Sequence, residues 1–263
     1  MSVQKSWSEL QKMHRACTIV VETLHELARA SVAGVTTREL DRIARERILK
    51  EGAKPAFLGY RGAGNRPYPA TLCVSVNHEV VHGIPGPRKL KDGDIVSLDL
   101  GCVVDGFFGD SAMTVAVGTV SAEAIRLMRV TEESLHKGIA QCHPGKRVGD
   151  IGHAVQEHAE KHGYSVVRDL TGHGIGTSLH EEPQVPNHGP PGRLARLVPG
   201  MCLAIEPMVN AGDAGVRKLD DGWTEVTRDG KLSAHFELSV AITEHGPWIL
   251  SEPYPYAEAR AHA

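Results

Sequence analysis

Apolar residues recur at helical spacing through Leu10, Met13, Cys17, Val20, Leu24 and Leu27. This stripe predicts a long amphipathic helix ending near Gly34. Ser6-Trp7-Ser8-Glu9 ahead of it has the residues of a capping box. A second box, Thr36 to Glu39, opens a helix with Leu40, Ile43, Ala44 and Ile48 inward, stopped by Gly52. Two further helices are predicted over 121–142 and 148–162, the latter with Val148, Ile151, Val155 and Ala159 on one face and Gly163 at its end. Between the two helical pairs the period changes to two. Residues 95–104 and 107–117 are rich in β-branched and aromatic side chains, and Asp105-Gly106 between them is a type I′ turn signal. Shorter strands are expected over 72–76, 164–168 and 201–206, with a closing meander over 223–243 turning at Asp229-Gly230.

The register of the central hairpin follows by counting. With Val104 opposite Phe107, Gly101 faces Asp110 and Asp99 faces Ala112, so the two aspartates are diagonal neighbours on one face. Diagonal Cα atoms stand roughly 7–8 Å apart, close enough for two carboxylates to converge on one metal or a metal pair. Buried together without a cation they would repel. A weak internal repeat points the same way: Leu90, Gly93 and Asp99 match Leu197, Gly200 and Glu206 at identical spacing, each segment read as a strand ending in an acid. Two related halves would then meet around a shared site, with boundaries near 1–118 and 119–263 inside one catalytic domain spanning 1–263.

Composition narrows the class. With 263 residues, 41% of them hydrophobic, the chain can bury a full core, and a net charge of −3 gives no reason to expect nucleic acid or an anionic membrane as partner. No apolar run approaches the ~20 residues of a membrane helix, and the first ten residues lack a signal-peptide core. Five scattered cysteines without a CxxC suit a reducing cytoplasm and argue against a disulfide framework or a thiolate zinc site. The apolar stripes are accounted for by internal helices, which favours a monomer.

Candidate chemistry lies in strands and loops. The loop over 55–69 interleaves Phe57, Tyr60 and Tyr68 with Gly and Pro, as a pocket wall would. His82 lies in His82-Gly83-Ile84-Pro85, and three glycines surround His173 in a segment read as a loop that also carries His180. The last strand puts His235, Glu237 and Ser239 on one face, where a glutamate needs a partner or a cleft. Asp99, Asp110, Glu206 and Glu237 with His173 make an oxygen-rich set with one nitrogen, suited to two divalent cations such as Co, Mn, Fe or Zn. No HExxH is present, which excludes the one-zinc metalloprotease. A two-metal centre would generate hydroxide at neutral pH and clamp a tetrahedral intermediate.

The spacing of these five residues, with HGIP, GHGIGTSLHEEPQVPNHG, AIEPM and DGWT around them, closely resembles the methionine aminopeptidases of the type I, bacterial-like class over residues 10–248. The resemblance implies the α+β pita-bread fold, two pseudo-symmetric αβ halves with antiparallel sheet around a dinuclear metal site, and removal of initiator methionine when the second residue is small. By resemblance Asp110 and Glu237 bridge the metals, Asp99 chelates one, and His173 and Glu206 complete the other. His82 and His180 would bind substrate and steady the intermediate, and Glu206 would share in proton transfer to the hydroxide that attacks the first peptide bond. Phe57, Tyr60, Tyr68, Cys73, Leu179 and Trp223 would wall the methionine pocket. Phe57 stands where many bacterial relatives have cysteine, Leu179 where phenylalanine is usual, and residues 61–67 form a longer loop than in the shortest relatives. The partners implied are nascent polypeptide N-termini and the ribosome, for which the sequence shows no basic docking patch. The chain's own start, Met1-Ser2, is itself such a substrate, so loss of Met1 in cells is expected. The competing readings are an X-Pro aminopeptidase or dipeptidase of the same fold, a two-metal phosphoesterase, which would want basic residues at the site, and an inactive pita-bread adaptor, which would have lost ligands.

Overall fold

The structure is a computed structural model that describes residues 4–62 and 66–255. Met1, most of the polar C-terminal tail and the middle of the 61–67 loop lie outside the described residues. Among the described residues four helices are formed: α1 (Trp7–Ala30), α2 (Thr37–Lys50), α3 (Ala122–Ile139) and α4 (Val148–Lys161). The strands are β1 (Lys54–Pro55), β2 (Leu72–Val76), β3 (Glu79–Val81), β4 (Ile95–Val104), β5 (Phe107–Ala116), β6 (Ser165–Val166), β7 (Thr171–Gly174) and β8 (Glu181–Pro186). They continue with β9 (Cys202–Ile205), β10 (Met208–Asn210), β11 (Val216–Lys218), β12 (Glu225–Thr227), β13 (Ser233–His235), β14 (Glu237–Thr243) and β15 (Gly246–Ile249).

Local chemistry sets the helix starts. The Glu9 carboxylate accepts from the Ser6 N–H at 2.7 Å and the Ser6 hydroxyl at 2.8 Å, closing the box ahead of α1. At α2 only half of the expected box forms. Thr36 Oγ1 accepts from the Glu39 N–H at 3.2 Å, but the Glu39 side chain turns outward to Arg42.

Antiparallel pairing orders the main sheet β1-β4-β5-β14-β9-β7-β8, with β2 also on β4 and β15 also on β14. The β4–β5 hairpin has the register counted from sequence: Val104 opposite Phe107, Gly101 opposite Asp110, Asp99 opposite Ala112. Asp105 and Gly106 take φ of 50° and 83°, as a type I′ turn requires.

The repeat extends well beyond the matched sequence. In the first half Ile95↔Ala116, Val96↔Val115, Ser97↔Thr114 and Leu98↔Met113 are opposed; in the second the pairs are Cys202↔Ala241, Leu203↔Val240, Ala204↔Ser239 and Ile205↔Leu238. Gly93, at φ 93°, donates to the Val117 carbonyl, and Gly200, at φ 87°, donates to that of Ile242, both at 2.9 Å. Gly34 and Gly145 likewise donate to the carbonyls of Leu90 and Leu197. One expectation about the repeat is corrected: Asp99 lies in the middle of β4, not at its end, because the first hairpin runs unbroken where Pro207 interrupts the second.

Alternation places the two faces of the sheet against different surroundings. Val96, Leu98, Leu100 and Cys102 pack with Leu24, Leu27, Leu40 and Ile48 of α1 and α2. Phe236, Val240 and Ile242 pack with Leu135, Ile139, Val148 and Ile151 of α3 and α4. The other face is left for the polar residues.

Two further expectations change. The stretch 223–243 is not a meander: β12 pairs with β11 and β3, β13 with β10, and β14 joins the main sheet. The Asp229-Gly230 turn is present, but it links strands of different sheets, since the second hairpin changes direction at Glu206-Pro207 and again at Phe236. The glycines around His173 mark a strand, β7, not a loop. A Cβ on Gly172 would stand 2.4 Å from the Ala204 carbonyl oxygen, and one on Gly174 would stand 2.4 Å from that of Glu182. These glycines allow close strand packing, which from sequence reads the same as loop chemistry.

Candidate metal centre

Two rows of residues cross the polar face of the sheet. The first runs Cys73, Asp99, Ala112, Glu237, each opposite the next on β2, β4, β5 and β14. Ile205 is opposite Leu238, so Glu206, the next residue, falls beside Glu237. In the second row Gly101 faces Asp110, the Ser239 hydroxyl donates to the Asp110 carbonyl at 2.8 Å, and Ala204 lies between Ser239 and His173. Ala112 and Ala204 carry only a methyl group, so the rows leave space directly above the sheet, and the missing side chain of Gly101 makes room for the Phe57 ring. Into that space project all four acids and His173.

His173 Nδ1 lies 2.9 Å from the Gly174 carbonyl oxygen, which can only accept, so that nitrogen holds the proton. Nε2 is thereby left with its lone pair facing Glu206 Oε1 at 3.7 Å and Asp110 Oδ2 at 4.0 Å. Asp99 Oδ1, Asp110 Oδ1 and Glu237 Oε1 are buried without a hydrogen-bond partner among the described residues. Buried acceptors of this kind are costly unless something cationic meets them. Their protonation behaviour agrees. Burial, then the neighbouring acids, pushes Asp110, Glu206 and Glu237 well above the carboxylate range, and burial brings Asp99 to about 7. A divalent cation is what would let all four ionise together. An oxygen-rich set with one aligned imidazole fits such an ion.

The same residues floor a cavity of about 430 Å³. Its walls are Phe57, Tyr60, Tyr68, Cys73, Leu179 and Trp223, and His82 and His180 also line it, so every site residue anticipated from sequence lies in this one cavity. Phe57, Tyr68, Cys73 and Leu179 form a buried apolar cluster with Tyr60 and Trp223 packed on it. Tyr68 meets Trp223 edge to face, its hydroxyl fixed by the Gly83 and Leu72 carbonyls. The thiol of Cys73 is pushed up by burial and by Asp99, which makes it a neutral wall and not a nucleophile. All five cysteines are buried free thiols.

The two histidines are held differently. His82 has a φ of 61°, a left-handed backbone uncommon outside glycine, and burial lowers its imidazole to about 4. His180 Nδ1 shares a 2.6 Å hydrogen bond with the Tyr60 hydroxyl, and its ring lies 4.2 Å from that of His173. Sequence reasoning did not assign Leu170, Lys218, Gly222 and Glu225 to the cavity, although Glu225 adjoins the DGWT motif. It also gave no role to His235, which lies beside Glu206 and Glu237; its placement on the Glu237 face of the last strand was the available signal. A separate cluster, Glu133 with His158 and His162, lies on α3 and α4, where Arg129 already pairs with Glu133 at 2.7 Å.

Residues 11–244 match the model of metallopeptidase family M24. The chain is 52% identical to a methionine aminopeptidase of Clostridium perfringens, covering 95% of this chain and 99% of that one. It is 51% identical to methionine aminopeptidase 1 of Bacillus subtilis with the same coverage. The crystal structure of methionine aminopeptidase from Thermotoga maritima superimposes with a TM-score of 0.92 at 46% identity, covering 96% of this chain and all of that one.

Proposed function

We infer that this chain, which belongs to metallopeptidase family M24, is a methionine aminopeptidase of the pita-bread fold, a hydrolase that removes the initiator methionine from nascent proteins. The observation that carries this reading is the convergence of Asp99, Asp110, His173, Glu206 and Glu237 on the floor of a cavity walled by apolar rings and a thiol. We assign those five residues as ligands of two divalent cations, Co, Mn, Fe or Zn. When bound, such ions supply Lewis acidity at the scissile carbonyl and an activated water.

The chain's own groups do the rest. Phe57, Tyr60, Tyr68, Cys73, Leu179 and Trp223 receive the methionine side chain, whose flexible thioether packs well on aromatic rings. His82 and His180 bracket the peptide bond. Held low by burial, both imidazoles are neutral near pH 7 and can donate one hydrogen bond each to the substrate. Tyr60 orients His180 through Nδ1. Glu206, the acid nearest His173, takes and returns the proton during attack and departure of the amine. On this reading the second residue is restricted to small side chains. The enzyme works as a monomer in the cytoplasm on emerging N-termini.

The alternatives lack support. The high identity is to methionine aminopeptidases, against an X-Pro specificity. All ligand positions are filled, against an inactive adaptor. Release of free methionine from Met-Ala-Ser and Met-Leu-Ser by chelator-stripped protein resupplied with Mn, Co, Fe or Zn tests the reading. Metal-dependent cleavage of the alanine peptide alone is expected. Cleavage of X-Pro peptides in preference, or of nothing with any metal, would refute it.

A further inference from the structure

The two hairpins superpose in register, and that register assigns each residue of the site a counterpart. Asp99↔Ala112 and Gly101↔Asp110 in the first correspond to the adjacent pair Glu206 and Glu237 and to Met208↔His235 in the second. The correspondence continues beyond the break at Pro207: Cys102↔Gly109 and Val103↔Phe108 match Val209↔Ala234 and Asn210↔Ser233. Glu206 is therefore the counterpart of Asp99, and His235 is the counterpart of Asp110. The position that carries the Asp110 carboxylate in one half thus carries an imidazole in the other.

The surroundings of His235 agree with that placement. Its side chain is 2% exposed, and neither ring nitrogen has a hydrogen-bond partner among the described residues. Its backbone is pinned to β5, since the His235 N–H donates to Thr114 Oγ1 at 2.9 Å and that hydroxyl donates to the His235 carbonyl at 2.8 Å. Nε2 then stands 3.8 Å from Glu206 Oε2 and 3.9 Å from Glu237 Oε2, too far for hydrogen bonds. His173 stands to Glu206 and Asp110 at nearly the same separations, 3.7 and 4.0 Å, on the other oxygen of Glu206. Two ligand atoms each about 2.1 Å from one ion stand at most about 4.2 Å apart. These spacings are those of ligands around a common cation.

We propose that His235 is a further nitrogen ligand of the metal centre, its Nε2 coordinating a divalent cation together with Glu206 and Glu237. The proposal rests on the metallopeptidase reading of the site. It raises the imidazoles of the centre from one to two, which shifts the preferred ion toward Fe or Zn and away from Mn.

The test loads the chelator-stripped full-length protein with Co(II) alone and records hyperfine-shifted, solvent-exchangeable proton resonances by NMR. Each cobalt-bound imidazole contributes one N–H, and burial slows exchange at His235. The wild-type protein is expected to show two, from His173 and His235, and the His235→Gln variant one. Titration calorimetry is expected to show cobalt affinity falling by at least about 10-fold in the variant, the lower end of what even outer-sphere losses cost. A single shifted N–H in cobalt-loaded wild-type protein would overturn the proposal while leaving the metallopeptidase reading intact, and needs no folded variant. Failure of the wild-type protein to bind cobalt would overturn both.

Discussion

Gly101→Ala is a small substitution with a specific expected result. Gly101 lies opposite Asp110 on the site face of β4, and a Cβ built there would stand 2.8 Å from Phe57 Cε1 and 3.0 Å from Ala56 Cβ. Regaining ordinary contact at 3.4 Å requires the ring edge to retreat by at least about 0.6 Å. Ala56 lies in the chain against β4, its N–H bonded to the Gly101 carbonyl at 3.0 Å, so the ring gives way and the backbone does not. The ring then moves into the space assigned to the methionine side chain. Overpacking of this kind costs roughly 1–3 kcal/mol, offset by about 0.4–1 kcal/mol from the stiffer unfolded chain, so the melting temperature should fall by no more than about 10 °C. Binding should suffer more. Displacing about one methylene of substrate is worth ~0.8 kcal/mol, or about 4-fold in KM for Met-Ala-Ser, and the full overpacking cost would make it greater. The kcat should stay within about 2-fold, because Asp110 keeps its backbone partner. Phe57→Leu in the same protein should restore KM. The assay is steady-state methionine release over a range of peptide concentrations. An unchanged KM, or a fall in kcat with KM unmoved, would refute the assignment of Phe57 to the methionine pocket.

Other consequences are equally concrete. Glu206→Gln should lower kcat by at least about 10²-fold while the protein stays folded, as general acid–base roles are worth 10²–10⁴; circular dichroism and methionine release check it, and near-normal turnover would exclude the role. Tyr60→Phe removes a 2.6 Å bond to His180 and should cost about 0.5–1.5 kcal/mol, or roughly 2- to 13-fold in kcat/KM; identical kinetics would show that His180 needs no orienting partner. The stripped protein should have an unusual pH dependence. His82, His173 and His235 are held below their ordinary 6.5, so they lose stability for the fold as pH drops below that value, whereas the raised carboxylates lose it as pH rises. Above about 7.5 the histidines are essentially neutral in both states and the carboxylates dominate, so melting temperature should fall as pH rises past the Asp99 value near 7 and beyond. Added Co(II) or Mn(II) should abolish that fall in thermal melts, and a slope that persists with metal would mean these carboxylates do not hold the ion.

Much of this arrangement is legible in the chain. The Asp105-Gly106 turn fixes a register, the register fixes a face, and the face puts Asp99 with Asp110 without any tertiary knowledge. The helical stripes were similarly explicit because each buries one continuous side against the sheet. What could not be read is whatever depends on contact between distant segments. Glycines at 172 and 174 serve backbone packing against Ala204 and Glu182, and nothing local distinguishes that from a mobile loop. The meander failed for a related reason: Pro207 and Phe236 redirect both strands of the second hairpin, sending their ends to other sheets. His235 was visible on the correct face, yet only the matched hairpins reveal that it occupies the position held by Asp110 in the other half.

The join between β5 and β14 consists of two opposed pairs, Glu237 with Ala112 and Leu238 with Ser111. Asp99 and Asp110 lie on one side of that join, and Glu206, Glu237 and His173 on the other. An ion held by ligands from both sides would therefore be a clasp across a join of only two residue pairs. Loading it should make amide exchange at Ser111, Ala112 and Leu238 slow in step with the core of both halves, and removing it should release those three amides first. The ion proposed for the chemistry would then also fasten the two sides of that join into one cooperative unit.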